Sequence, residues 1–185
     1  WHTNPWELTI RDDRLYGLGI ADNIGPLAHR LIEFENMEVD LGLLLVIQGE
    51  EEIGSPWAHQ VFESIILPEV EIWIEETGYF YKNGDQRVLQ KGEHEILKLI
   101  TKRIMSINES EGINTKVRKR FMTKAFGMEN CPCIAHLLGD KPYLAIGPND
   151  DKTKVHGTDE SMDSNLLPIC TKHLAAVINE VEARC

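Results

Sequence analysis

Five consecutive apolar residues, Leu43-Leu44-Leu45-Val46-Ile47, run without a polar interruption. A strand with one face in water alternates apolar and polar side chains. An unbroken run suits a strand covered on both faces, as in the middle of a parallel sheet. Helical periodicity flanks it. Leu27, Ala28, Leu31 and Ile32 share one face of a helix expected over 24–37. After the run, Ser55 is placed to cap a helix with Pro56 in its first turn, and Trp57, Ala58, Val61, Phe62 and Ile65 form its stripe until Pro68. Apolar runs alternating with amphipathic helices predict an α/β layered domain.

The pattern continues to the end of the chain. Residues 70–74 read as a strand, and Asn83-Gly84-Asp85 as a hairpin turn between Tyr79-Phe80-Tyr81 and Arg87-Val88-Leu89. Ile96, Ile100, Ile104 and Ile107 mark a helix over 93–107. The basic stretch 112–128 reads as a solvated connector, with an anion site as the alternative. A short helix is expected over 130–138, a strand over 142–146 and a loop over 147–151. A last helix starts near Leu166, with Leu167, Leu174, Val177, Ile178 and Val181 as its stripe.

Length and charge then exclude classes of function. The 185 residues suit one domain. With 30 acidic and 19 basic residues the formal charge is −11, a poor match for nucleic-acid phosphates. No run approaches the roughly 18 apolar residues of a membrane span. The four cysteines, Cys131, Cys133, Cys170 and Cys185, are too sparse for a disulfide scaffold. They read as reduced thiols and point to the cytoplasm. The chain opens at Trp1, not Met, and so reads as processed or as a piece of a longer one.

Acidic and imidazole groups gather where apolar strands end, the place where open α/β sheets collect ligands. Asp22 closes Gly19-Ile20-Ala21-Asp22, Glu50-Glu51-Glu52 follows the apolar run, Glu75-Glu76 follows the next strand, and His156 opens His156-Gly157-Thr158-Asp159-Glu160. Each has an ordinary alternative: a helix cap, a solvated loop, an exposed strand end, a surface histidine. Three adjacent glutamates repel one another unless a cation neutralises them. Carboxylates with one imidazole also suit zinc with an open position for water. An acidic calcium-binding module would use the carboxylates but give His156 no role.

Trp1-His2-Thr3-Asn4-Pro5-Trp6 followed by Asp13-Arg14-Leu15-Tyr16-Gly17-Leu18-Gly19-Ile20-Ala21-Asp22 resembles a W-x-x-D-P-F and D-G-x-L-Y-G-R-G-x-x-D pattern. That pattern belongs to the dinuclear zinc peptidases and deacylases that include acetylornithine deacetylase, succinyl-diaminopimelate desuccinylase, aminoacylase and glutamate carboxypeptidase. Gly49-Glu50-Glu51-Glu52-Ile53-Gly54-Ser55 is similar to the family's D-E-E-x-G-S, Gly147-Pro148 to its G-P-G, and His156-Gly157-Thr158-Asp159-Glu160 to its H-G-x-D-E. The resemblance implies a three-layer α/β/α catalytic domain with a mixed, mostly parallel sheet. It implies two zinc ions, with cobalt or manganese as substitutes, and hydrolysis of an amide or peptide bond in a small peptide or N-acyl amino acid. Asp22 would bridge the ions, and Glu51 would be the general base. Glu52 and His156 would hold the first ion and Glu75 the second, with Glu76 as the alternative.

The departures are specific. The family's earlier H-x-D motif precedes the segment at which this chain begins, and His2 aligns inside W-x-x-D-P-F, so it is not expected to replace that histidine. The family inserts a lid after the second-zinc acid; here 81–93 holds a hairpin turn and leads to the next helix, so the lid is expected to be missing and 1–185 to form a single catalytic domain. Asn23 and Ile24 replace the usual lysine and glycine. Asp22-Asn23 also resembles the lidless zinc aminopeptidases, which remain an alternative, as does a non-catalytic or incomplete remnant.

Overall fold

The computed structural model describes residues 1–76, 78–119 and 139–184. Two sheets organise them. The smaller one was not expected from the sequence. Its strands β1 (Thr9–Arg11) and β2 (Arg14–Tyr16) form an antiparallel hairpin. Asp12 and Asp13 turn it with φ of 48° and 61°, the left-handed geometry of a tight two-residue hairpin, which aspartate tolerates better than most residues. The hairpin's inner edge pairs with the last strand of the chain, β9 (Ser161–Asp163).

The larger sheet contains β3 (Trp73–Glu75), β4 (Tyr79–Phe80), β5 (Gln86–Lys91), β6 (Thr115–Lys119), β7 (Tyr143–Ala145) and β8 (Asn149–Asp150). Pairings β3–β7, β4–β8 and β5–β6 are parallel; β4–β5 and β5–β7 are antiparallel. The sheet is therefore mixed, as the resemblance implied. Side chains alternate across it. Val88, Leu144 and Ile146 point to one face, where α3 (Glu95–Ser110) contributes Ile96, Leu97, Ile100 and Ile104, and α4 (Leu167–Glu182) contributes Val177 and Val181. Leu89, Tyr143 and Ala145 point to the other face, against Phe62 of α2 (Pro56–Ser64). This is the α/β layering that the apolar runs predict.

Several boundaries and faces differ from the sequence reading. The run Leu43–Ile47 forms no strand, and Leu43, Leu44, Leu45 and Ile47 are exposed. A central strand needs a hydrogen-bonding neighbour and a layer on each face. Here only Val46 packs near Trp73 and Phe62, with Leu41 on the opposite cluster. The first helix, α1 (Gly25–Asn36), turns Leu31 and Ile32 to solvent and buries Arg30 and Glu33 instead. Burial of this pair is tolerable because Arg30 Nη1 donates to Glu33 Oε2 at 2.5 Å and its other nitrogens reach Glu76. Of the stripe expected in α2, Phe62 is buried while Trp57, Val61 and Ile65 are exposed, and the Ala58 side chain lies outside the described ones. The 112–128 connector contains β6, paired in parallel along β5. The loop expected over 147–151 contains β8. The expected 130–138 helix, Cys131, Cys133 and Cys185 lie outside the described residues. Cys170 is a free, buried thiol that burial pushes up to about 12, so it is not a thiolate at neutral pH. Among the described residues no helix is long and apolar enough to cross a membrane.

Behind the sheet, a buried polar network ties α4 to α3 and to the start of β5 and β6. His173 Nε2 and Asn108 Oδ1 are 2.8 Å apart, and His173 Nδ1 faces Gln86 Nε2 at 3.4 Å. Asn108 Nδ2 donates to Gln86 Oε1 at 2.6 Å and to Thr115 Oγ1 at 2.7 Å. The network fits a neutral imidazole that donates from Nε2 and accepts at Nδ1. Burial pushes His173 down to about 4 from its usual 6.5. The unfolded chain therefore binds the proton first as pH falls from 6.5 to 4, and stability is lost over that window. Urea unfolding at pH 5 is expected to show about 2 kcal/mol less stability from this group than at pH 7. His173→Gln, which cannot titrate, should remove that component of the pH dependence.

Candidate metal centre

Three loops converge on one cluster of side chains. The first leads from β2 into α1. Gly19 takes φ of 72°, and the backbone leaves helical geometry at Asp22 (φ −131°) and Asn23 (φ −142°) before α1 begins; the Asp22-Asn23 peptide is cis. The second is the acid run. Glu50 is left-handed (φ 57°), Glu51–Ile53 makes a single 3-10 turn, and Gly54 (φ 84°) and Ser55 (φ 50°) lead into α2. Ser55 does not cap α2 with its side chain. It is fully buried and locks the loop, donating from Oγ to the Gly49 carbonyl at 3.0 Å and accepting from Gln48 Nε2 at 2.6 Å.

The third loop carries His156 between β8 and β9. Its base is held by Arg14 of β2, which donates to both Asp150 carboxylate oxygens at 2.6 and 3.0 Å and to Ser161 Oγ at 3.0 Å. Burial works against the Asp150 carboxylate, but the Arg14 guanidinium holds it below the usual carboxylate range. A tight turn with Gly157 N–H on the Lys154 carbonyl at 2.8 Å then presents His156 in left-handed conformation, φ 60°.

The outcome is a cluster of two carboxylates and one imidazole. His156 Nε2 lies 2.9 Å from Glu52 Oε2 and 3.4 Å from Asp22 Oδ2. One donor atom from each of Asp22, Glu52 and His156 lies within 4.8 Å of the others. Donors bonded tetrahedrally at about 2.0–2.2 Å would sit about 3.3–3.6 Å apart; the His156–Asp22 spacing falls in that range, whereas His156 and Glu52 stand closer, at ion-pair distance. The electrostatics agree. Burial first, then the charges of Glu51 and Glu52, push the Asp22 carboxyl above its usual range, while His156 opposes them. The donor set, two hard carboxylates and one borderline imidazole on partly solvent-accessible side chains, fits a divalent metal ion.

Not every expected residue enters this cluster. Glu51 stays close enough to raise Asp22 electrostatically but is not one of the three clustered donors. Glu75 ends β3, half-buried, and is likewise outside that group; its carbonyl accepts from Ile146 N–H at 2.9 Å. Glu76 is engaged elsewhere, because Arg30 donates from Nε to Oε1 at 2.5 Å and from Nη2 to Oε2 at 3.1 Å. His2 is not among the clustered donors. Its backbone N–H donates to Asp159 Oδ1 at 2.7 Å and its Nδ1 lies 2.5 Å from Oδ2. Those two contacts hold the Asp159 carboxyl down to about 2.

Two further groups had no role in the sequence reading. Arg30 is one; nothing in its helical spacing points to a partner beyond the next strand. Glu160 is the other. It was visible as the last residue of His156-Gly157-Thr158-Asp159-Glu160, but only the fold shows that it is buried and accepts three backbone N–H groups.

A profile of peptidase family M20/M25/M40 matches residues 1–180. Curated relatives include a probable di- and tripeptidase of Saccharomyces cerevisiae, 36% identical over 67 residues, covering 34% of this chain and 8% of the relative. A cysteinylglycine-S-conjugate dipeptidase of Corynebacterium striatum is 44% identical over 59 residues, covering 29% of this chain and 13% of the relative. A beta-Ala-His dipeptidase of Homo sapiens is 37% identical over 68 residues, covering 34% of this chain and 13% of the relative. The matched stretches are thus a small part of each relative's length.

Proposed function

The chain belongs to peptidase family M20/M25/M40, and from that membership we propose that it hydrolyses a peptide bond in a short peptide with the help of zinc held by Asp22, Glu52 and His156. The observation that carries this reading is the meeting of those three donors from three separate loops. All three relatives carry dipeptidase or di- and tripeptidase in their names, which favours short peptides over N-acyl amino acids as substrates. Deacetylase, aminoacylase and carboxypeptidase activities are narrower versions of the same amide chemistry.

Glu52 and His156 would hold the first ion and Asp22 would be shared with a second, for which Glu75 at the end of β3 is the acid expected from the resemblance. The choice of Glu75 over Glu76 is supported by the bidentate Arg30 contact, which commits the Glu76 carboxylate to α1. Cobalt or manganese could substitute for zinc in an oxygen- and nitrogen-rich donor set. When bound, the metal supplies Lewis acidity that acidifies water and polarises the scissile carbonyl. Glu51 takes a proton from the attacking water and returns it to the leaving amine, a role suited to an acid beside the donors but outside their cluster. The second sheet and the Arg14–Asp150 pair keep the His156 loop in place while substrate enters.

Hydrolysis of a small panel of dipeptides and N-acetyl amino acids tests the proposal. Dipeptide cleavage is expected in zinc-supplemented buffer, loss on chelation and recovery on adding zinc back. Cleavage that survives complete chelation, or no cleavage by a zinc-loaded chain, would contradict it.

A further inference from the structure

We propose that Glu160 is a positioning residue for the metal centre: its buried carboxylate fixes the backbone that carries Asp22 relative to the loop that carries His156. The inference rests on Asp22 and His156 being metal donors, as proposed above. Glu160 is 3% exposed. A carboxylate so placed is costly unless its oxygens are satisfied. Its oxygens are satisfied by one short stretch of chain. Gly19 N–H donates to Oε2 at 2.7 Å, while Ala21 N–H and Asp22 N–H donate to Oε1 at 2.9 and 3.0 Å. The contact is reciprocal, since Gly17 N–H donates to the Glu160 carbonyl at 3.3 Å.

These donors are not available by chance. Ala21 and Asp22 lie in the first turn of the Ile20–Ile24 segment, where N–H groups lack acceptors within the helix and need one from outside. Hydrogen bonds from N–H to an ionised acceptor are about twice as strong as neutral ones. Glu160 therefore ties that segment to its own loop through three hydrogen bonds to one carboxylate. It also lies four residues after His156 and immediately before β9, which pairs with β2. A single side chain thus spans the two loops that must bring Asp22 Oδ2 and His156 Nε2 to 3.4 Å. Glu160 has this geometry without joining the donor cluster of Asp22, Glu52 and His156.

Glu160→Gln separates positioning from bulk. The amide oxygen can accept from Ala21 and Asp22, but the amide NH2 then meets the Gly19 N–H, donor against donor, and the charge is lost. Cobalt(II) titration followed by visible absorption, with zinc calorimetry beside it, is the measurement. Metal affinity is expected to fall about 10–100-fold, the usual cost of removing a group that orients a ligand. Asn108→Ala, which breaks the buried network around His173, is the control: it should lower the melting temperature and leave metal affinity unchanged. Glu160→Asp retains the charge on a shorter arm and should fall between wild type and Glu160→Gln; it carries the test if Glu160→Gln does not fold. Unchanged affinity in a folded Glu160 variant would overturn the positioning role and leave the metal centre standing. Equal weakening by Asn108→Ala would overturn it too, since the effect would be general destabilisation. A wild-type chain that binds neither metal would overturn both this inference and the proposed function.

Discussion

Glu51→Gln is expected to lower peptide turnover by about 10²–10⁴-fold, the range for loss of a general acid–base group, while leaving bound zinc unchanged. The substitution is close to isosteric, and it removes only the capacity to take and return a proton. Glu51 sits in the 3-10 turn beside Glu52, near enough to push Asp22 upward, yet outside the cluster of three donors. Kinetics and metal content measured on the same preparation separate the two roles. Near-normal turnover would move the base elsewhere; loss of zinc together with turnover would make Glu51 a ligand.

The second large effect is on metal itself. His156→Ala removes the imidazole of this trio, the group 2.9 Å from Glu52 Oε2 and 3.4 Å from Asp22 Oδ2. Zinc affinity, read by competition with a chromophoric chelator, is expected to drop by more than the 10–100-fold typical for residues that merely support a ligand. His94→Ala, just before α3, should bind zinc as wild type does. Equal affinity for His156→Ala and wild type would remove His156 from the site.

How much of this was legible beforehand depends on the range over which each feature is determined. The helices α3 and α4 were legible because their isoleucine, leucine and valine stripes face one sheet, so periodicity and burial coincide. The Asn83-Gly84 turn was legible because it is local: Gly84 takes φ of 84° and Tyr81 pairs with Asp85 across it. The grouping of Asp22, Glu52 and His156 was legible from the order of the motifs that carry them, whereas each alone had an ordinary alternative and the run before Glu52 forms no strand.

Other features depend on residues far away in sequence. The run Leu43–Ile47 carries the signature of a doubly covered strand, but strand formation needs a neighbour's edge, and the described fold pairs β3 with β7 instead. On α1 the apolar stripe pointed one way and the buried ion pair the other; Arg30 prevails because Glu33 and Glu76 are both in reach. The same contact separates Glu75 from Glu76, a distinction that adjacent identical residues cannot carry by themselves. Glu160 was hidden for a related reason. Its partners are backbone N–H groups, which every sequence possesses, so no spacing of side chains reveals them.

The most direct test of the central claim, that Asp22, Glu52 and His156 form a metal centre, is zinc content after equilibrium dialysis of the purified chain. The wild type is expected to retain at least about one zinc per chain, as three protein donors with an open position imply. The triple variant Asp22→Ala, Glu52→Ala, His156→Ala is expected to retain none above the buffer blank. Wild-type zinc at the blank level, or equal retention by the triple variant, would contradict the account.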